Sequence, residues 1–200
     1  MLLGAGANLE YRNCRSWTSV SYLWDPGHSW RHSTSEILDI CAAQGFSGWN
    51  GTDGIGWSPV HRAAAYGSGE DIYNLAYKGA NLQAYTTDYL WGPITCAVWN
   101  KNQETFDALI GLLSREEIIR IRDSRGWTLL HFAAQVGSEQ LARRLVELGV
   151  EINARTMPTS FWVTEDLEGK RLTATEIAYG YGHGELWDNV VQAVKEGIMR

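Results

Sequence analysis

The sequence predicts an all-α fold, an array of short helix pairs stacked side by side. Three observations predict it: a block that recurs about every 34 residues, glycines at fixed places in each block, and apolar residues at helical spacing between them. Trp57-Ser58-Pro59-Val60-His61-Arg62-Ala63-Ala64 returns as Trp127-Thr128-Leu129-Leu130-His131-Phe132-Ala133-Ala134. A degenerate copy, Trp91-Gly92-Pro93-Ile94-Thr95-Cys96-Ala97-Val98, lies between them, an earlier one starts at Trp17-Thr18-Ser19-Val20, and a later one at Leu172-Thr173-Ala174-Thr175-Glu176-Ile177-Ala178. The rear of the block repeats too: Leu75-Ala76-Tyr77-Lys78-Gly79-Ala80-Asn81-Leu82 matches Leu145-Val146-Glu147-Leu148-Gly149-Val150-Glu151-Ile152 and, near the amino end, Leu2-Leu3-Gly4-Ala5-Gly6-Ala7-Asn8-Leu9.

Each part of the block has a physical reason. Ser58 and Thr128 can cap a helix, Pro59 suits a first turn whose N–H has no partner, and Ala63-Ala64 or Ala133-Ala134 let neighbouring helices approach. Gly67 and Gly137 are expected to end the first helix in the left-handed conformation, and Gly79 and Gly149 the second. Ile72-Leu75-Ala76 and Leu141-Leu145-Leu148 give each second helix one apolar stripe. A single pair cannot bury that stripe, so the blocks must stack.

These segments resemble the ankyrin repeat, with its Thr-Pro-Leu-His-x-Ala-Ala helix start, a glycine, a Leu-rich second helix and a Gly-Ala-Asp/Asn turn. The resemblance implies an α-solenoid with short β-hairpin-like fingers, and the abundant Trp gives it the look of a fungal-type array. A single domain spanning residues 1–200 divides into a truncated repeat (1–15), repeats at 16–54, 55–87, 88–123 and 124–155, an extended finger (156–171) and a terminal repeat or cap (172–200). The pattern is specific at 55–87 and 124–155. It departs where Ser19, Ser21, Leu23 and Trp24 replace the usual residues and where Thr95 stands for His.

The departures carry further expectations. Asp25-Pro26-Gly27-His28-Ser29-Trp30 forms an enlarged turn, and Met157-Pro158-Thr159-Ser160-Phe161-Trp162-Val163-Thr164 a lengthened finger that shields the last interface more than it extends a binding surface. Met1-Leu2-Leu3 begins at the end of a second helix, so the chain reads as the carboxy-terminal part of a longer array or as a truncated gene model. From Glu185 to Arg200, Leu186, Val190 and Val194 make the apolar stripe of a closing helix.

Composition narrows the function. A formal net charge of -6 and no basic run argue against nucleic-acid binding. No stretch is apolar enough to cross a bilayer and no secretory start is visible, so the chain is placed inside the cell, in the cytoplasm, with the nucleus left open. Three scattered cysteines, Cys14, Cys41 and Cys96, fit reduced thiols, and the sequon Asn50-Gly51-Thr52 is idle in that compartment.

No enzyme is expected. Gly4-Ala5-Gly6 and Gly180-Tyr181-Gly182 lack the strand and third glycine of a dinucleotide loop, and they read as helix stops. His28 and His32 have no further ligand at metal spacing. His61 and His131 sit in the repeat pattern, where the resemblance implies that they bond the capping hydroxyl and backbone carbonyls of adjoining units; neither adjoins an activated nucleophile. Glu116-Glu117 belongs to the first turn of a helix. No cofactor, no metal and no small-molecule substrate is therefore expected.

The unusual feature is 10 Trp in 200 residues. Trp17, Trp57, Trp91 and Trp127 hold one repeat position, just before the helix cap, and stacking should bring them into a row at the junction of fingers and inner helices. That junction is the concave face which, by the resemblance, grips partner proteins. Tyr66 and Trp99 at the ends of inner helices would flank the row, with Tyr89 and Arg125 near finger tips. Half-wet indoles are good anchors, although the same position also packs each finger on its neighbour. The reading is a protein–protein interaction module that binds a partner through this face. The alternative is a sensor or regulatory arm of a larger enzyme or immune-type signalling protein whose catalytic part lies upstream.

Overall fold

The computed structural model describes residues 7–25, 33–158 and 163–197. The start at Met1–Leu3, Gly4-Ala5-Gly6, nearly all of the turn expected at Asp25–Trp30, both His28 and His32, and the middle of the long finger thus lie outside the described residues. Those described form ten α-helices and no strand: α1 Thr34–Ala43, α2 Pro59–Tyr66, α3 Gly69–Tyr77, α4 Pro93–Trp99, α5 Gln103–Leu112, α6 Arg115–Arg120, α7 Leu129–Val136, α8 Glu139–Glu147, α9 Ala174–Gly180 and α10 Gly184–Lys195. The all-α repeat fold expected from the sequence is the one observed. None of these helices is long and apolar enough to cross a membrane.

The chain divides into two compact units, residues 1–97 with 104–109 and residues 98–103 with 110–200. In the first, α2 packs on α3 and on a 3-10 turn at Val20–Trp24, and α3 packs on α1. The 3-10 turn stands where a regular first helix would be, at the place where Ser19, Ser21, Leu23 and Trp24 break the pattern. Trp24 is buried there and its Nε1–H donates to Asp71 Oδ2 at 3.0 Å. In the second unit α7 packs on α8 and α9, and α10 on α8 and α9.

Helix starts are capped as the sequence suggests. Ser58, Thr128 and Thr173 each form a reciprocal box with the side chain three residues on, His61, His131 and Glu176. The carboxylates of Glu116 and Glu117 fall in the first turn of α6, which Ser114 caps. The second helices bury one face: Ile72 and Leu75 in α3, Leu141, Ala142 and Leu145 in α8. Each such leucine contributes roughly 1.5–3 kcal/mol of burial.

Two sequence readings are corrected. Gly137 ends α7 at φ 65 as expected, but Gly67 has φ -95 and takes no left-handed turn. Its glycine answers a lack of space: a Cβ would sit 2.7 Å from Ala63 O and Asp71 Oδ2 and 2.8 Å from Trp24 Nε1. In α10 the buried stripe is Trp187, Val190 and Ala193, and Leu186 is exposed. The register turns because Trp187 Nε1–H donates to Thr175 Oγ1 at 2.8 Å, which seats the largest side chain against α9.

The fingers share one construction. Asn13, Asp53 and Asp123 each donate a backbone N–H to the carbonyl of a Trp four residues on, at 2.9–3.0 Å, and take that Trp's N–H on the side-chain oxygen at 2.9–3.0 Å. Thr86 does the same with Trp91, five residues on, and Thr156 with Leu172, across the inserted residues of the long finger. The residue before the Trp turns left-handed in four of these, at Ser16, Gly56, Leu90 and Gly126. Neighbouring fingers are joined by single backbone bonds, Gly54 N–H to Arg15 O and Thr87 N–H to Ile55 O in the first unit, Met157 N–H to Arg125 O in the second.

Candidate partner-binding surface

The first unit carries five of the residues singled out by the sequence. Trp17 and Trp57 are half-buried, and the Arg62 side chain from α2 lies between them. Its Cζ is 3.7 Å from the centroid of the Trp17 ring and 5.8 Å from that of Trp57. The guanidinium is held by an ion pair from Nη2 to Asp53 Oδ2, while Asp53 Oδ1 takes the N–H groups of Ile55 and Trp57. One buried carboxylate therefore closes the finger and orients the cation that spaces the two indoles. Trp91 is only 8% exposed; its neighbour Tyr89 is half-buried, with ring centroids 6.1 Å apart. Tyr66, the last residue of α2, is 46% exposed, and Ile55 on the second finger is 51% exposed.

The second unit carries Trp99, Trp127 and Arg125. Trp127 is 0% exposed, wedged against Phe132 at 5.3 Å, and Arg125 is buried over it at 4.3 Å while pairing with Asp123. Both belong to the core of their unit, Trp127 wholly buried and Arg125 7% exposed. Trp99, at the end of α4, is half-buried and edge-on to Phe132 at 6.2 Å.

His61 and His131 are structural. Ser58 and Thr128 N–H can only donate, so each Nδ1 accepts, at 3.2 and 3.0 Å, and each Nε2 carries the proton. That proton goes to Trp91 O at 3.0 Å from His61, and to Ala154 O and Leu172 O, both at 3.1 Å, from His131. Burial lowers both pKa values to about 4, so the rings are neutral at physiological pH. Asn50 of the sequon is also occupied: its side chain donates to Gly79 O and accepts from Asn81 N–H, capping the end of α3. Among the described residues no group of His, Cys, Asp and Glu is placed to hold a metal ion.

Comparison with known proteins fits this architecture. The family model for ankyrin repeats, in three copies, matches residues 60–156. The chain is an ankyrin-repeat protein. It is 33% identical over 99 residues to Calmodulin-binding transcription activator 4 of Arabidopsis thaliana, covering 45% of this chain and 9% of that protein. It is 30% identical over 100 residues to Ankyrin repeat and SOCS box protein 3 of Homo sapiens, covering 50% of this chain and 19% of that protein. The chain thus matches less than a fifth of the length of either relative. Ankyrin repeats are in general protein–protein interaction modules, and the family is in general a non-catalytic scaffold.

The sequence missed the finger rule. Asp53-Gly54-Ile55-Gly56-Trp57 and Asp123-Ser124-Arg125-Gly126-Trp127 repeat an Asp four residues before the Trp, and Asn13-Cys14-Arg15-Ser16-Trp17 repeats it with Asn. That spacing was the available signal for a side-chain-closed hairpin.

Proposed function

We propose that this chain is an interaction module that holds a partner protein against the fingers and inner helix of its first unit. One observation carries the reading: Trp17 and Trp57 stay half-open around Arg62, with Ile55 and Tyr66 exposed in the same finger-and-helix segment. Indoles held rigid at a wet boundary offer contact area with little entropy left to lose, the property of interface anchors. The net charge of -6 disfavours nucleic acid as that partner. All three cysteines are free thiols, Cys14 exposed, which suits a reducing compartment inside the cell.

The test is affinity capture with the intact chain, followed by measurement of the recovered partner against variants. Ile55→Asp and Tyr66→Asp, both at exposed positions, should abolish capture while circular dichroism stays unchanged, and Tyr77→Asp on the outer face of α3 should not. Full capture by folded Ile55→Asp and Tyr66→Asp would remove this face from the account.

A further inference from the structure

The first two fingers form alternating layers of guanidinium and indole. Arg62 lies between Trp17 and Trp57, and Arg15 lies 5.9 Å from the Trp17 ring. Arg12 reaches the same place, donating through Nη1 to Ser16 O and Thr52 O, the carbonyls that precede Trp17 and Asp53. Two guanidinium groups therefore lie on one indole, with a third bonded to the carbonyl that precedes it. Their local counter-charge is Asp53, both of whose oxygens are already used, by Arg62 and by two backbone N–H groups.

Among the described residues, neither Arg12 nor Arg15 has an ion-pair partner. Arg62 engages Asp53 through a single nitrogen, its Nε has no hydrogen-bond partner, and 8% of its side chain remains exposed. A guanidinium offers five donors and pairs best with a carboxylate by two at once. This corner is thus a cationic spot, with the donors of Arg15 exposed, on a chain whose net charge is -6.

We propose that this spot receives a carboxylate from an acidic segment of the partner, which binds the exposed Arg15 at the face of Trp17, over the buried charge of Arg62, while its apolar neighbours lie on Trp57 and Ile55. The inference rests on the interaction-module reading and names the chemistry its face selects. The indoles exclude water from one side of the guanidinium groups, which strengthens their pairing over that of a fully solvated arginine. Elsewhere the acidic balance of the chain repels a negatively charged segment, so position as well as affinity is selected.

The probe is an arrayed library of short peptides matched in apolar content, in which Glu is exchanged for Gln, incubated with the intact chain. The wild type should retain Glu peptides about tenfold better than their Gln counterparts, the scale of one or two charge-assisted bonds. Arg15→Gln should erase most of that preference, as should the double variant Arg62→Gln/Asp53→Asn, which leaves no buried charge unpaired. Arg120→Gln, on α6, should keep it. Equal retention of Glu and Gln peptides by the wild type, or a preference that survives in both folded variants, overturns the proposal. Indifference to Glu with retention still lost in Ile55→Asp sinks the carboxylate site alone; retention that ignores both Ile55→Asp and Tyr66→Asp sinks the binding face with it.

Discussion

The second finger and the fourth are built from the same parts, yet one is open and the other sealed. In each, an aspartate closes the hairpin onto a Trp and pairs with an arginine that lies on an indole. In the second finger that arginine is Arg62, supplied by α2, and Ile55 points out to solvent. In the fourth it is Arg125, supplied by the finger itself, and the helix position matching Arg62 holds Phe132, which fills the space against Trp127. A swap of one cation and one apolar residue between finger and helix thus decides whether a repeat's indole belongs to a core or to a surface.

The largest expected effect separates the two copies by stability. Asp123→Ala leaves Arg125 buried beside two unclosed N–H groups and should cost about 3–5 kcal/mol in urea unfolding. Asp53→Ala should cost measurably less, because the N–H groups it frees belong to the exposed Ile55 and the half-buried Trp57, where water can replace the carboxylate. Equal losses would mean that the openness of the second finger has no energetic content.

Acid should act on both copies alike. With folded pKa values near 4 against about 6.5 in the unfolded chain, His61 and His131 bind protons more readily when unfolded. Their contribution is complete above about pH 6.5 and is lost as pH falls towards 4, by about 3 kcal/mol for each ring. Unfolding midpoints followed from pH 7 to pH 4 should fall in that window, and His131→Phe should flatten the profile. A midpoint constant across the window would refute the neutral-ring network.

Transplanting the arrangement is the sharper test of the comparison. Ile55→Arg with Arg62→Phe writes the fourth finger's chemistry into the second. The double variant should fold with a stability within about 2 kcal/mol of the wild type, the range of tolerated repacking, and the Trp fluorescence should become less quenchable by acrylamide. Undiminished quenching would show that something other than these two positions holds the layer open. The smallest effect concerns the third finger, where Leu90 takes φ 58 while staying 48% exposed. Leu90→Gly should stabilise by about 1 kcal/mol by removing left-handed strain, whereas Gly56→Ala, whose Cβ would meet Thr87 N at 2.5 Å, should destabilise.

The fold was legible because its signals are local. Capping Ser and Thr, Pro59, the Ala pairs and the Leu stripes act within one or two turns of helix, so a single chain displays them. The site was legible only as a set of candidates. Trp17, Trp57, Trp91 and Trp127 share a repeat position, but their depth depends on which side chains of their own and neighbouring blocks pack over them, as Phe132 does on Trp127 and Arg62 on Trp17, and that is a tertiary fact. Gly67 failed for a related reason: its glycine is demanded by Trp24, distant in sequence, together with the nearby Ala63 carbonyl and Asp71 carboxylate, and not by its own dihedral. The finger aspartates could have been read from their spacing, since the Asp-to-Trp interval of Asp53 recurs intact at Asp123.

Hydrogen exchange on the chain with and without its captured partner tests the central claim most directly. New protection should map to residues 13–17 and 53–57 and to the end of α2 at Tyr66, leaving residues 123–136 and the outer faces of α1 and α3 unchanged. Protection that appears instead on residues 123–136 or on those outer helices would contradict the assignment of the open, first-unit layer as the surface that binds.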